Sequence, residues 1–122
     1  MLRTMLVGSL PRPTWLFPPQ QVSSLDWGLD GPTLQEGHDD AVRLAVTDQE
    51  QVGLDIVTDG EQRRRHYIWG FSEHLDGIDF GTMVKRLTRG GRYGLEIDVA
   101  RVTGPVRRPT AVFVEALRFL KR

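Results

Sequence analysis

The sequence predicts an α/β fold with parallel strands, on the basis of two observations. Two apolar segments, Leu2–Val7 and Leu54–Val57, have the composition of short strands buried on both faces. The segment between them, residues 33–51, has the periodicity of an amphipathic helix. A strand, a helix and a second strand in this order are typical of a βαβ unit, in which the helix carries the chain back so that both strands run in parallel.

The ends of the predicted helix carry their own signals. Thr33 and Glu36 have the spacing of a capping box, and Gly53 is the expected residue after the last turn. The apolar face consists of Leu34, Ala41, Ala45 and Val52. This face is expected to pack against the two strands.

The rest of the chain gives weaker signals. Prolines and glycines predict a loop over residues 12–32, and Trp15, Leu16 and Phe17 are expected to pin this loop to an apolar surface. Tyr67–Phe80 is compatible with a helix, the four glycines of Gly81–Gly94 predict an irregular segment, and Leu95–Val102 alternates like an exposed strand. A last helix is expected over Thr110–Leu120. Two parallel strands cannot cover both of their faces and edges, so the chain reads as the opening portion of a larger α/β protein.

Composition excludes several classes of protein. The 122 residues are 39% hydrophobic and 26% charged, which is typical of a globular domain and not of a disordered chain. No apolar run approaches the roughly 20 residues that span a bilayer, and no secretory signal is recognisable. The absence of cysteine excludes disulfides and thiolate ligands and agrees with a cytoplasmic location.

Charge is distributed unevenly although the formal net charge is zero. Residues 1–84 carry 6 basic and 13 acidic side chains, whereas residues 85–122 carry 10 basic and 3 acidic ones. A basic segment can bind nucleic acid, but no aromatic residues are interleaved with these charges. Attraction between the two halves, or to acidic groups elsewhere, is the favoured explanation, so neither a nucleic-acid nor a membrane partner is expected.

Polar turns follow both predicted strands. Gly8 and Ser9 follow the first strand, and Asp59, Gly60 and Glu61 follow the second. Ligand sites of parallel α/β proteins lie at the carboxyl ends of the strands. A serine hydroxyl or amide can hold a carboxylate and a glutamate can hold an ammonium group, so the two turns could bind the two ends of an α-amino acid.

The alternative is a purely structural role for the same turns. Ser9 and Asp59 would then satisfy turn amides, and Glu61 would pair with Arg64 or Arg65. The residues alone leave both explanations open.

Longer motifs carry a resemblance to a known family. The segments "VGSLPRPTWL" and "QEQVGLDIVTDGEQRRR", followed by "HLDGIDF" and "VTGPV", closely resemble the N-terminal part of the catalytic barrel of cobalamin-independent methionine synthases. The resemblance implies a (β/α)8 barrel, of which this chain would hold about the first third as a single partial domain, residues 1–122, with an irregular excursion around residues 66–104.

The family transfers a methyl group from a methyltetrahydrofolate to the thiol of homocysteine in methionine biosynthesis. By this resemblance Val7, Gly8, Ser9 and Glu61 would bind homocysteine. Arg92 and Tyr93 stand where the family contacts the folate, although the match there is poor.

The resemblance also implies zinc, which keeps the thiol deprotonated and nucleophilic. The family ligands are a histidine, two cysteines and an acid, and this chain has no cysteine. Its histidines, His38, His66 and His74, lack metal-ligand spacing. No metal ligand and no catalytic residue is therefore expected in these 122 residues, which alone should be inactive.

Two further explanations remain open. A related enzyme could transfer another group to another thiol, such as coenzyme M. The chain could also be a non-catalytic piece that needs the remainder of the barrel or an oligomeric partner. The aromatic residues Tyr67, Trp69, Phe71 and Phe80 are expected to pack rather than to bind substrate. Arg63–Arg65 is expected to be a solvated helix start that pairs with nearby acidic side chains.

Overall fold

The computed structural model describes residues 2–19, 27–92 and 94–122. The chain divides into two compact units. The first unit comprises Met1–Trp69 and Phe113–Arg122, and the second comprises Gly70–Val112. Within the described ranges, no helix has the length and hydropathy needed to cross a membrane.

The main helix of the first unit, α1, spans Gly31–Gln51. It begins two residues before Thr33, so the predicted capping box is wrong, and Asp30 at the N-cap makes no side-chain capping bond. Pro32 occupies the first turn, where a missing N–H removes no helical hydrogen bond. The predicted end is correct, since Gly53 follows the C-cap with a left-handed φ of 77°.

The core of the first unit lies between α1 and the loop that precedes it. Its buried apolar residues are Leu16, Ala41, Val42 and Ala45. Ala41 and Ala45 therefore confirm part of the predicted apolar face, whereas Val52 at its end is 74% exposed. Leu16 is fully buried, as expected for a side chain that pins the loop, whereas its neighbour Trp15 is 44% exposed.

The two predicted parallel strands meet at a single bridge. Met5 pairs with Ile56 in parallel, and the Ile56 amide donates to the Thr4 carbonyl at 3.1 Å. The Asp55 carboxylate accepts from the Thr4 amide at 2.7 Å and from the Thr4 hydroxyl at 2.9 Å. The parallel direction is confirmed, but pairing stops at one bridge among the described residues, and the barrel stays a prediction.

The second unit is built on a two-stranded antiparallel sheet. Strand β1 spans Asp76–Leu87 and β2 spans Glu96–Arg107, with the single-turn helix α2, Trp69–Ser72, before them. Thr88–Gly91 lies in the turn between the strands, where Arg89 and Gly90 have left-handed φ values of 48° and 65°. The predicted helix over Tyr67–Phe80 is thus wrong beyond one turn. The irregular segment predicted from Gly81 is wrong as far as Leu87, because only one of its four glycines falls in the strand.

A bulge interrupts the ladder between β1 and β2. Asp79 faces Arg101 and Val84 faces Val99, so β1 holds extra residues between these pairs. The Asp79 carboxylate accepts from the amides of Gly81 at 2.8 Å and Thr82 at 3.2 Å. These bonds satisfy donors that the bulge removes from the ladder.

The last helix, α3, spans Val114–Leu120 and belongs to the first unit. It begins four residues later than predicted from the sequence. Phe113 forms its N-cap with a non-helical φ of −109°.

Candidate functional site

The two polar turns of the first unit lie side by side. The Leu10 amide donates to the Gly60 carbonyl at 3.0 Å, which joins the turn after the first apolar segment to the turn after the second. The Ser9 hydroxyl donates to Oε2 of Glu61 at 2.6 Å. The structure thus brings together Ser9 and Glu61, the two residues that the sequence analysis assigned to opposite ends of an amino acid.

The backbone of the second turn is left-handed at two successive residues. Gly60 has φ of 59° and Glu61 has φ of 57°. The Asp59 carboxylate accepts from the Glu61 amide at 3.0 Å and so stabilises this conformation. A left-handed residue other than glycine costs about 1 kcal/mol or more, and such residues cluster at functional sites. A side chain at Gly60 would also come within 3.1 Å of Ala45.

Two buried glutamines support the turns from below. Gln49 of α1 donates to the Thr58 carbonyl at 2.9 Å and accepts from the Thr58 amide at 3.0 Å. Gln62 donates to the carbonyls of Leu10 at 3.2 Å and Gly60 at 3.3 Å. Both side chains are 1% exposed. Their buried amide groups bond to backbone groups of the turns and so fix the position of the turns relative to α1.

Glu61 lies among cationic groups. Arg64 Nη1 donates to Glu61 Oε1 at 2.9 Å, and both side chains are about one-fifth exposed. Arg12 donates through Nη2 to the Arg64 carbonyl. Burial lowers the pKa of Arg12, and the negative charge of Glu61 opposes that shift. The pairing of Glu61 with Arg64, which the sequence analysis gave as the structural alternative, is therefore present together with the hydrogen bond from Ser9 to Glu61.

An aromatic and histidine cluster lies next to Arg12. The guanidinium carbon of Arg12 lies 5.3 Å from the Phe17 ring centroid and 5.9 Å from that of Trp27. Trp27 packs edge-on against His38 with ring centroids 4.5 Å apart. Burial is the main cause that lowers the pKa of His38 from its usual 6.5 to about 4, with the charge of Arg63 as the next cause. His38 is therefore neutral at physiological pH.

The other predicted site residues have separate positions. The Val7 side chain is 92% exposed, and Gly8 has a left-handed φ of 95° with open space where a side chain would begin. Arg92 belongs to the second unit, where its amide donates to the Arg89 carbonyl at 3.3 Å. Tyr93 lies outside the described residues.

The described residues do not fit a metal centre. Across residues 2–19, 27–92 and 94–122, no group of three or more His, Cys, Asp or Glu side chains could hold a metal ion. His66 is engaged locally, since its Nδ1 accepts from the amides of Ile68 at 3.2 Å and Trp69 at 3.4 Å. The zinc implied by the resemblance therefore has no ligand set in this part of the chain.

Sequence reasoning missed the residues that support the turns. Gln49 follows Ala41 and Ala45 at helical spacing, a pattern that can indicate a buried amide bonded to backbone. Gln62 lies in a polar turn, where no pattern in the sequence indicates its burial. Arg12 stands between two prolines, and nothing in that context distinguishes it from a solvated arginine.

Comparison with known proteins identifies the family. Residues 2–115 match the family model described as "Cobalamin-independent synthase, Catalytic domain". The methionine synthase of Sulfolobus acidocaldarius is 31% identical over 121 residues, which cover 99% of this chain and 34% of that protein. The methionine synthase of Sulfurisphaera tokodaii is 39% identical over 80 residues, covering 66% of this chain and 23% of that protein.

A solved structure gives the same result. The B12-independent methionine synthase from Shewanella sp. W3-18-1, determined in complex with selenomethionine, is 44% identical and superposes with a TM-score of 0.84. The match covers 98% of this chain and 34% of that one, so the chain spans about a third of the length of such relatives. On these matches, and in agreement with the resemblance of its turn motifs, the chain belongs to the cobalamin-independent methionine synthase family, within the catalytic domain.

Proposed function

We propose that this chain supplies the amino-acid-binding turns of a methyltransferase that converts homocysteine to methionine. The observation that carries the proposal is the 2.6 Å hydrogen bond from the Ser9 hydroxyl to Glu61 Oε2, which joins two turns far apart in sequence. A carboxylate with one oxygen bonded to Ser9 and the other to Arg64 retains lone pairs that can accept from an ammonium group.

Each end of the amino acid has a proposed partner. Glu61 would accept hydrogen bonds from the α-ammonium group. Because the Ser9 hydroxyl already donates to Glu61, its backbone N–H is the donor proposed for the α-carboxylate, with Val7 and Gly8 shaping the same turn. The selenomethionine bound to the Shewanella relative supports an amino acid of this class as the ligand.

In the proposed reaction the homocysteine sulfur loses its proton and forms a bond to the methyl carbon, the bond from that carbon to N5 of a methyltetrahydrofolate breaks, and N5 takes up a proton, which gives methionine and tetrahydrofolate. Zinc, the folate donor and the (β/α)8 barrel belong to the proposal for the whole family domain, of which this chain spans about a third. Contacts from Arg92 and Tyr93 to the folate remain part of that proposal.

The test is a titration of the isotope-labelled chain with L-methionine, followed by amide NMR. Saturable shifts are expected at Ser9, Leu10, Gly60 and Glu61. The Glu61→Gln variant should bind at least about tenfold more weakly, since it loses one charge-assisted contact. Glu50→Gln, which makes the same charge change on an exposed part of α1, is the matched control and should bind like the wild-type chain.

Two analogues make the test specific. 4-(Methylthio)butanoic acid lacks the ammonium group and should bind more weakly than methionine. Coenzyme M carries a thiol and a sulfonate but no ammonium group. Equal shifts with methionine and its analogue would contradict the clamp, and stronger binding of coenzyme M than of homocysteine would favour a different thiol acceptor.

A further inference from the structure

The orientation of the Glu61 side chain depends on its contacts, because the residue lies in a turn. Glu61 has a left-handed φ of 57° and lies outside any helix or strand, so no regular packing of neighbouring side chains holds it. Ser9 holds one carboxylate oxygen and Arg64 holds the other. Ser9 is exposed and short, so the Arg64 guanidinium is the larger and less accessible of the two supports.

Arg64 is in turn held by a residue from the other end of the sequence. The guanidinium carbon of Arg64 lies 4.4 Å from the centroid of the Phe113 ring, at the start of α3. This is well within the 6 Å at which a cation over a ring face is attracted to it. The ring covers the guanidinium on one face, while Nη1 remains directed to Glu61 Oε1.

A second aromatic contact of the same kind serves as an internal comparison. Phe119 of α3 lies 4.8 Å from the guanidinium carbon of Arg63 and 5.3 Å from that of Arg43. Arg63 pairs with Asp39, not with Glu61. The two phenylalanines thus make similar contacts with neighbouring arginines, but only the contact of Phe113 leads to the proposed clamp.

From this arrangement we infer that Arg64, held by the Phe113 ring, is the positioning residue that aims Glu61 at an α-ammonium group. The inference rests on the proposed function. With one carboxylate oxygen bonded to a fixed cation, an incoming ammonium is repelled from the Arg64 side and directed to the Ser9 side of Glu61. Arg64 and Phe113 then determine how strongly the site prefers ligands that carry an ammonium group.

The experiment measures this preference as a ratio of dissociation constants. L-methionine and 4-(methylthio)butanoic acid are titrated into the wild-type chain and into Phe113→Leu, Phe113→Tyr, Phe119→Leu and Arg64→Lys. Phe113→Leu and Arg64→Lys should reduce the preference for methionine about threefold to tenfold. Phe113→Tyr keeps a ring and should restore the preference, and Phe119→Leu should leave it unchanged.

The readout separates positioning from stability. A variant that merely loosens the fold weakens both ligands together and leaves their ratio intact. A ratio that survives Phe113→Leu and Arg64→Lys, or that falls equally in Phe119→Leu, would overturn the inference. If the wild-type chain itself shows no preference for methionine, the proposed function fails first, and this result is distinguishable because it precedes any substitution.

Discussion

The first unit buries side chains around α1, whereas the second unit is built on a two-stranded ribbon, and among its described residues only Gly70 of α2 is buried. In the first unit, buried amides bond to backbone groups of the turns that carry Ser9 and Glu61. In the second, the ladder between β1 and β2 holds the strands, and the charge pairs across it are accessible to water. Buried contacts fix atoms more tightly than exposed ones, so the turns of the first unit hold their side chains in better-defined positions than the strands of the second.

The largest effect is expected from Gln49→Ala in the first unit. The substitution leaves the Thr58 amide and carbonyl without their partners in a part-buried position and opens a cavity beside α1. The free energy of unfolding should fall by about 3 kcal/mol. Urea unfolding followed by tryptophan fluorescence measures it. Glu50→Ala, the exposed neighbour, should stay within about 0.5 kcal/mol of wild type, and equal losses in both variants would contradict a supporting role for Gln49.

A smaller but clear effect is expected from Gly77→Ala in the second unit. A Cβ at Gly77 would lie 2.5 Å from the Pro105 carbonyl oxygen, and the φ of 80° is unfavourable for alanine. The strands should lose about 2 kcal/mol of local stability, measured by amide hydrogen exchange along β1 and β2. Gly90→Ala has a similar φ of 65° but open space around its Cβ, so its cost should be about 1 kcal/mol. Equal costs would show that the close approach has no effect.

Acid should weaken the first unit through His38. Its pKa is about 4 in the folded chain against the usual 6.5, so the unfolded chain takes up the proton first as the pH falls. The stabilisation is complete above pH 6.5 and is lost between 6.5 and about 4. The free energy of unfolding should fall by about 1–2 kcal/mol. This is smaller than the full pKa shift would give at 1.36 kcal/mol per unit, because the ring is partly solvated.

The control for this pH dependence is His38→Gln. The variant has no titrating ring at this position, so its unfolding free energy should vary less between pH 7 and pH 4 than that of the wild-type chain. Parallel pH profiles for the two proteins would assign the acid sensitivity to other groups. Burial also lowers the pKa of His66, so His66→Gln is the first alternative to test.

The sequence predicts those features that depend on local patterns. The periodicity from Leu34 to Ala45 and the glycine at position 53 predict the body and end of α1, and two apolar segments predict the parallel bridge. The turns are predicted to meet because parallel strands end on the same side. Ser9 and Glu61 are found within hydrogen-bond distance, although their role as a ligand clamp stays a proposal.

Other features depend on contacts between distant residues. The ring of Phe113 over Arg64 joins segments with no shared periodicity, and no local signal indicates it. The alternation of Leu95–Val102 predicts the second strand of the ribbon, β2, which spans Glu96–Arg107. The first strand, β1, is not predicted, because the bulge at Asp79 disturbs its alternation, and the glycines at 90, 91 and 94 lie in the turn between the strands. The capping box failed because the proline at position 32 already fits the first turn of the helix.

The smallest effect should come from Arg101→Gln in the second unit. Arg101 Nη2 lies 2.7 Å from Asp79 Oδ2, but both side chains are accessible and water screens their attraction. The pKa of Asp79 is lowered first by this bond and then by the bond from the Gly81 amide. Removing the arginine leaves the carboxylate bonded to the bulge amides, so exchange at Gly81 and Thr82 should barely change. Asp79→Ala removes both kinds of bond and should accelerate that exchange clearly. A larger effect of Arg101→Gln than of Asp79→Ala would mean that cross-strand charge, and not the capped bulge, holds the register of the ribbon.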